Sequence, residues 1–155
     1  MTETRTATIG RNATLVGGMW LALAIGTAGA QSTPAGLWRT IDDATGKPKA
    51  LVRIVEQDGV LSGRIERLFD PDPKWDGRCD QCRDERKNQP VLGMTILTNL
   101  SKDRDEYSGG DILDPENGNV YRCRLRVAEG GAKLELRGFI GISLFGRTQI
   151  WLREQ

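Results

Sequence analysis

The sequence contains no histidine. That absence removes the Ser-His-Asp and Cys-His arrangements of nucleophilic catalysis, and with them the imidazole ligands of common metal sites. Cysteine is scarce, with 3 residues, and aromatics make up 6% of the chain. Excess charge is lacking too: 22 Lys and Arg stand against 21 Asp and Glu. A balanced chain offers no basic patch for nucleic acid and no strong pull toward anionic membranes. After residue 30 no apolar run is long enough to span a bilayer as a helix. Ser108-Gly109-Gly110 and the glycines at 138 and 141 lack the Lys and the strand-to-helix setting of a phosphate loop. Carboxylates are plentiful, but they fall in turns and on polar faces rather than in the paired apolar setting of a glycosidase. The sequence therefore assigns no catalytic residue, no cofactor and no metal site.

What is present begins with a leader. Met1 to Arg11 carries Arg5 and Arg11, and the apolar run LVGGMWLALAIGTAGA follows. Ala28-Gly29-Ala30 before Gln31 fits a small-residue cleavage site. The apolar core is roughly 10–15 residues, short of the ~20 that a spanning helix needs. These features predict a signal peptide over 1–30 and a single mature domain over 31–155, periplasmic or secreted. No Cys follows the run, and twin arginines are absent, so a general export route is expected.

Cysteine usage agrees with export. Cys79 and Cys82 form C-D-Q-C, while Cys123 stands alone. In an oxidising compartment two close cysteines pair, so a Cys79–Cys82 disulfide is expected. A redox role wants the motif at a helix start with a lowered thiol pKa, and zinc wants four ligands. Neither setting is visible, though a structural and a redox-active bridge remain alternatives. Cys123 is either buried and inert or paired between chains.

Period-two alternation dominates the mature chain. Tyr121, Cys123, Leu125 and Val127 share one face of a strand, and Arg122, Arg124 and Arg126 the other. The arginine run therefore reads as a solvated face. Leu134, Leu136 and Ile140 repeat the pattern, as do Leu61, Gly63 and Ile65, and Val52 and Ile54. Turn signals separate the runs at 42–46, at Asp58-Gly59, at 114–118 and at 129–131. Strands are predicted near 36–41, 49–56, 60–68, 91–98, 107–113, 119–128, 132–140 and 147–154. The 91–98 stretch also fits one helix face through Leu92, Ile96 and Leu100. The expected fold is all-β: a small eight-stranded antiparallel up-and-down barrel.

Residues 69–90 form one long connection, rich in Pro and charge, with Cys79 and Cys82 as its staple. Asp70, Asp72 and Asp76 miss the twelve-residue calcium pattern, so a solvated loop is expected. Eight strands enclose either a packed interior or room for one small ligand. Both readings stand. Inward candidates are Val52, Ile54, Leu61, Ile65, Met94 and Tyr121, with Cys123, Leu125, Leu134 and Leu136. Ile142, Leu144 and Phe145, between Gly141 and Gly146, either plug one barrel end or form an exposed lip.

Gly36-Leu37-Trp38 at the first strand and Trp151-Leu152-Arg153 at the last resemble the ends of lipocalins. That resemblance implies that Arg153 packs over Trp38 and seals one barrel end by a cation–π contact. GLWRT, the CxxC loop, NQPVLGMTIL, SGGDILDPENGNVYRCRL and LELRGFIGISLFGRTQIW together resemble the bacterial exported family carried as domain of unknown function 2147. It implies a lipocalin-like barrel and no particular activity, because a shared barrel does not carry function with it.

The function expected is non-enzymatic: an exported protein holding a small, partly apolar ligand in its barrel. Trp38, Val52, Ile54, Met94, Tyr121, Leu134 and Leu136 would line the site, with Ile142, Leu144 and Phe145 at the mouth. The alternative is a cell-envelope interaction or stress protein that binds a protein partner through the 69–90 and 142–145 loops. Nucleic acid is not an expected partner, nor is stable membrane insertion after leader removal.

Overall fold

The computed structural model describes residues 33–69 and 75–155, with Thr2. The predicted leader, apart from Thr2, lies outside the described residues, as do Asp70 and Asp72. Eight strands follow in order: β1 (Gly36–Ile41), β2 (Pro48–Gln57), β3 (Val60–Leu68), β4 (Thr95–Asp103), β5 (Glu106–Asp114), β6 (Asn119–Ala128), β7 (Lys133–Phe139) and β8 (Gly146–Glu154). Each pairs antiparallel with its neighbour in sequence, and β1 pairs with β8 to close the barrel. The expected up-and-down barrel is the observed one.

Local chemistry sets the turns. Asp58 and Gly59 both take positive φ, 52° and 78°, as a tight hairpin between twisted strands requires. At the β5–β6 turn the Asp114 carboxylate accepts from the Glu116 N–H at 3.0 Å and from Asn117 Nδ2 at 2.9 Å. These local bonds offer the backbone a reversal in place of a continued ladder.

One strand differs from expectation. The sequence points to a strand over 91–98, whereas β4 runs from Thr95 to Asp103. Val91 and Met94 are apolar because the connection packs, not because it is a strand. The polar end of β4, Ser101-Lys102-Asp103, is exposed and carries no alternation to read. The connection is also not simply solvated. Cys79, Cys82 and Val91 are buried and belong to the main hydrophobic cluster.

Inward side chains fill the barrel. Trp38, Val52, Ile54, Leu61, Leu97, Leu100, Leu125, Leu134, Leu136 and Trp151 are all almost completely buried. The connection adds a second layer outside the sheet. Leu113 pairs with Val120 and so faces away from the lumen, opposite to the adjacent Ile112–Tyr121 pair. Val120 is 47% exposed, yet Leu113 is only 2% exposed, because the connection covers it. Cys79 Sγ lies 3.4 Å from the Pro115 carbonyl oxygen, a contact without a donated proton that places the stapled segment on this side. On the outer face of β6 the arginines pair with carboxylates across the ladder: Arg122 with Asp111, Arg124 with Glu106, and Arg126 with Glu135. The solvated reading of that face holds.

Candidate functional site

Strand alternation gives the barrel two different ends. The start of β1 and the short turns at 57–60, 103–106 and 129–133 lie at one end. The segments 42–47, 69–94, 115–118 and 140–145 lie at the other. The first end is sealed. The Arg153 guanidinium carbon lies 4.1 Å from the centroid of the Trp38 ring. Its nitrogens donate to the carbonyls of Gly131 at 2.6 Å, Ala35 at 3.0 Å and Thr33 at 2.7 Å. Trp38 Nε1 donates to the Pro34 carbonyl at 2.7 Å. Gly36 is required beneath this lid, because a Cβ there would come within 2.5 Å of Arg153 Nη1. Burial lowers the pKa of Arg153 from its ordinary value. The guanidinium keeps its charge in any case, since an arginine scarcely deprotonates in a protein.

The second end is where side chains with binding chemistry collect. Ile112 and Tyr121 sit opposite each other on the lumen side, both half-buried. Gly138, paired with Arg147, contributes no side chain there. A Cβ at Gly138 would lie 3.6 Å from Tyr121 Cβ and 3.7 Å from Ile112 Cγ2, an ordinary contact distance. The mouth layer thus has room for a Cβ at Gly138, where the sequence supplies none. The Tyr121 hydroxyl accepts from Asn117 and Asn119 side chains at 3.4 Å. Across the rim Asp43 accepts from Arg147 and from Gln149 Nε2.

The β7–β8 loop rises at this end. Ile140, Ile142, Leu144 and Phe145 are 71%, 61%, 74% and 74% exposed. Of the two expectations for this loop, the lip is the one observed. Arg137 sets its shape: Nε donates to the Ser143 carbonyl at 2.7 Å, and Nη2 to the Leu144 carbonyl at 3.1 Å. Its Nη1 also donates to Thr148 Oγ1 at 2.9 Å. One guanidinium satisfies the loop backbone and leaves the apolar side chains facing water.

The residues expected to bind ligand therefore divide. Trp38, Val52, Ile54, Met94, Leu134 and Leu136 lie in the packed interior and its flank. Tyr121 lies at the mouth, and Ile142, Leu144 and Phe145 stand above it on the lip. Sequence reasoning missed Gly138 and Arg137, whose roles emerge only from the pairing of β7 with β6 and β8. Among the described residues no group of three acidic or cysteine side chains is placed to hold a metal ion. None of the described helices is long and apolar enough to cross a membrane.

Cys79 and Cys82 form the expected disulfide. Cys123 is a free thiol, buried in the core. A model of the family described as an uncharacterized protein conserved in bacteria, DUF2147, matches residues 36–153. The chain belongs to the DUF2147 family. This DUF2147 barrel is similar to protein HP1028 from the human pathogen Helicobacter pylori, a protein described as belonging to the lipocalin family. The TM-score is 0.68 at 20% identity, covering 80% of this chain and 84% of that one. The likeness is one of fold. No curated protein matches the DUF2147 chain.

Burial pushes the Cys123 thiol up to about 12, with the Asp111 charge adding to the shift. Its ordinary value is 9.0. An unfolded chain ionises this thiol earlier, so stability is fully present below about pH 9 and falls from there to about 12. The slope is up to about 1.4 kcal/mol per pH unit. Tyr107, also raised, chiefly by burial, acts in the same direction. Cys123→Ala should flatten the alkaline slope measured by denaturant midpoints from pH 7 to 11. An unchanged slope would assign the loss to other groups.

Proposed function

We propose that the protein is an exported, non-enzymatic binding protein that takes a small, partly apolar ligand at the open end of its barrel. The carrying observation is the lip: four large apolar side chains held out to solvent by Arg137 above a mouth layer to which Gly138 adds no side chain. An exposed apolar cluster of this kind usually marks an interaction site. The packed interior below supports a shallow seat at the mouth rather than a deep one. The ligand's apolar part rests on Ile142, Leu144 and Phe145, and its polar part meets Tyr121 and the Asp43–Gln149 rim. The lipocalin-like fold supports a binding role of this general type. The buried staple and the leader-like N-terminus support export to an oxidising compartment.

The second reading, a protein partner gripped by the same lip, is favoured by the protrusion of the loop. Two substitutions separate the readings. Leu144→Asp places a charge on the lip and should weaken binding of a fluorescent naphthylamine probe at least tenfold. Gly138→Leu fills the mouth and should do the same while leaving the fold intact. Probe binding that survives both substitutions sinks the ligand reading. Loss with Leu144→Asp alone favours the partner reading, because a partner needs the lip but not the mouth.

A further inference from the structure

The outer face of β3 and β4 carries a groove outside the lumen, separate from the β7–β8 lip and the Ile112–Tyr121 mouth. It has a volume of about 550 Å³ and runs between that face and residues 85–95 of the connection. A smaller hollow of about 320 Å³, lined by Ser62 and Asn99 among others, continues it through Thr98. Arg64 and Glu85 both line this groove, with Leu92 and Met94 as its apolar residues and Thr95 and Thr98 as hydroxyls.

Arg64 differs from every other strand arginine. Arg39, Arg53, Arg122, Arg124, Arg126 and Arg147 pair with carboxylates. Arg67 lies over the Phe69 ring, Arg137 holds the lip, and Arg153 seals the closed end. Among the described residues Arg64 has no ion pair, hydrogen bond or aromatic partner. Its guanidinium lies against the backbone of Gly93, where φ is +85° and a Cβ would come within 3.0 Å of Nη2. The other arginine of the groove, Arg86, is held by Asp84, which leaves Arg64 as its uncommitted cation. A planar guanidinium with free donors matches a carboxylate in a two-point geometry.

We infer that this groove is a second binding site, one that takes a small monocarboxylate with an apolar body. The carboxylate pairs with Arg64, and the body lies along Leu92 and Met94. Glu85, also in the groove lining, carries no ion pair among the described residues and repels a second negative charge. The site therefore prefers a monoanion to a dianion of equal length.

Octanoate, octanol and suberate test this directly, since they share a chain length and differ in charge. Each is titrated into the full mature protein while backbone amide shifts are followed by NMR. Octanoate should shift Gly93, Thr95 and Thr98, with octanol and suberate at least tenfold weaker. Arg64→Gln, an exposed substitution, should weaken octanoate about tenfold with the remaining spectrum unchanged. Glu85→Gln should narrow the gap between octanoate and suberate. Leu144→Asp on the lip should leave the Gly93, Thr95 and Thr98 shifts unchanged, so this inference and the proposed function fail separately. The inference is overturned by octanoate shifts confined to the lip and to Ile112 and Tyr121 at the mouth, by equal groove shifts with octanoate and octanol, or by an Arg64→Gln variant whose groove shifts with octanoate are undiminished.

Discussion

Trp38→Ala is expected to lower the unfolding free energy by about 3–5 kcal/mol, measured by chemical denaturation. The indole is fully buried at the closed end. Its removal opens a cavity, leaves the Pro34 carbonyl without its donor and leaves the Arg153 guanidinium without a ring beneath it. A domain of this size has about 5–15 kcal/mol in total, so one substitution takes much of it. Trp38→Phe should cost less, because a ring face remains while the Nε1 donor is lost. A cycle with Arg153→Ala isolates the contact itself, expected at about 0.5–2 kcal/mol. A loss below about 1 kcal/mol for Trp38→Ala would mean that the seal contributes little to stability.

Gly118→Ala should be nearly as damaging and should change the chemistry of the staple. Gly118 has a φ of +68°, and a Cβ there would fall 2.0 Å from the Gln81 carbonyl oxygen and 2.6 Å from the Cys82 nitrogen. The obstacle is backbone, so the β5–β6 turn or the stapled segment must move. Left-handed strain alone costs roughly 1–2 kcal/mol. Undocking the segment would uncover Leu113, Val91 and both sulfurs, bringing the total to about 3 kcal/mol or more. In the parent protein Cys79 and Cys82 are almost completely buried and should resist a thiol reductant until the protein unfolds. In the variant the bridge should be reduced under native conditions, as read by alkylation and mass spectrometry. Gly109→Ala is the control. Its φ is +83° with nothing within 4 Å, so strain acts there without the clash. Equal reducibility of the two variants would remove the undocking explanation.

Much of this fold is legible in the sequence because alternation and turn chemistry agree. β3 and β6 carry clean period-two patterns ended by Asp58-Gly59 and by the 114–118 turn, and both occupy the residues read from the pattern. β4 is not legible, because two layers share its apolar residues. Leu97 points into the barrel, while Val91 and Ile96 are also buried, so alternation blurs. The lip was visible as a cluster but not as a surface. Whether Ile142, Leu144 and Phe145 turn inward depends on Arg137, whose hold on the loop carbonyls no local pattern encodes. Arg64 reads as one more polar-face arginine. Its lack of a partner becomes visible only when the connection folds back beside it.

The closure of β1 on β8 has a kinetic meaning as well. Every other ladder joins strands adjacent in sequence, whereas Arg39 and Glu154, joined across this seam, are 115 residues apart. A chain can zip six of its ladders across short turns and the β3–β4 ladder across the longer connection, but it must bring β1 and β8 together to finish the ring. Loop-closure entropy makes that encounter the most demanding one, so the seam is the natural last stitch in folding.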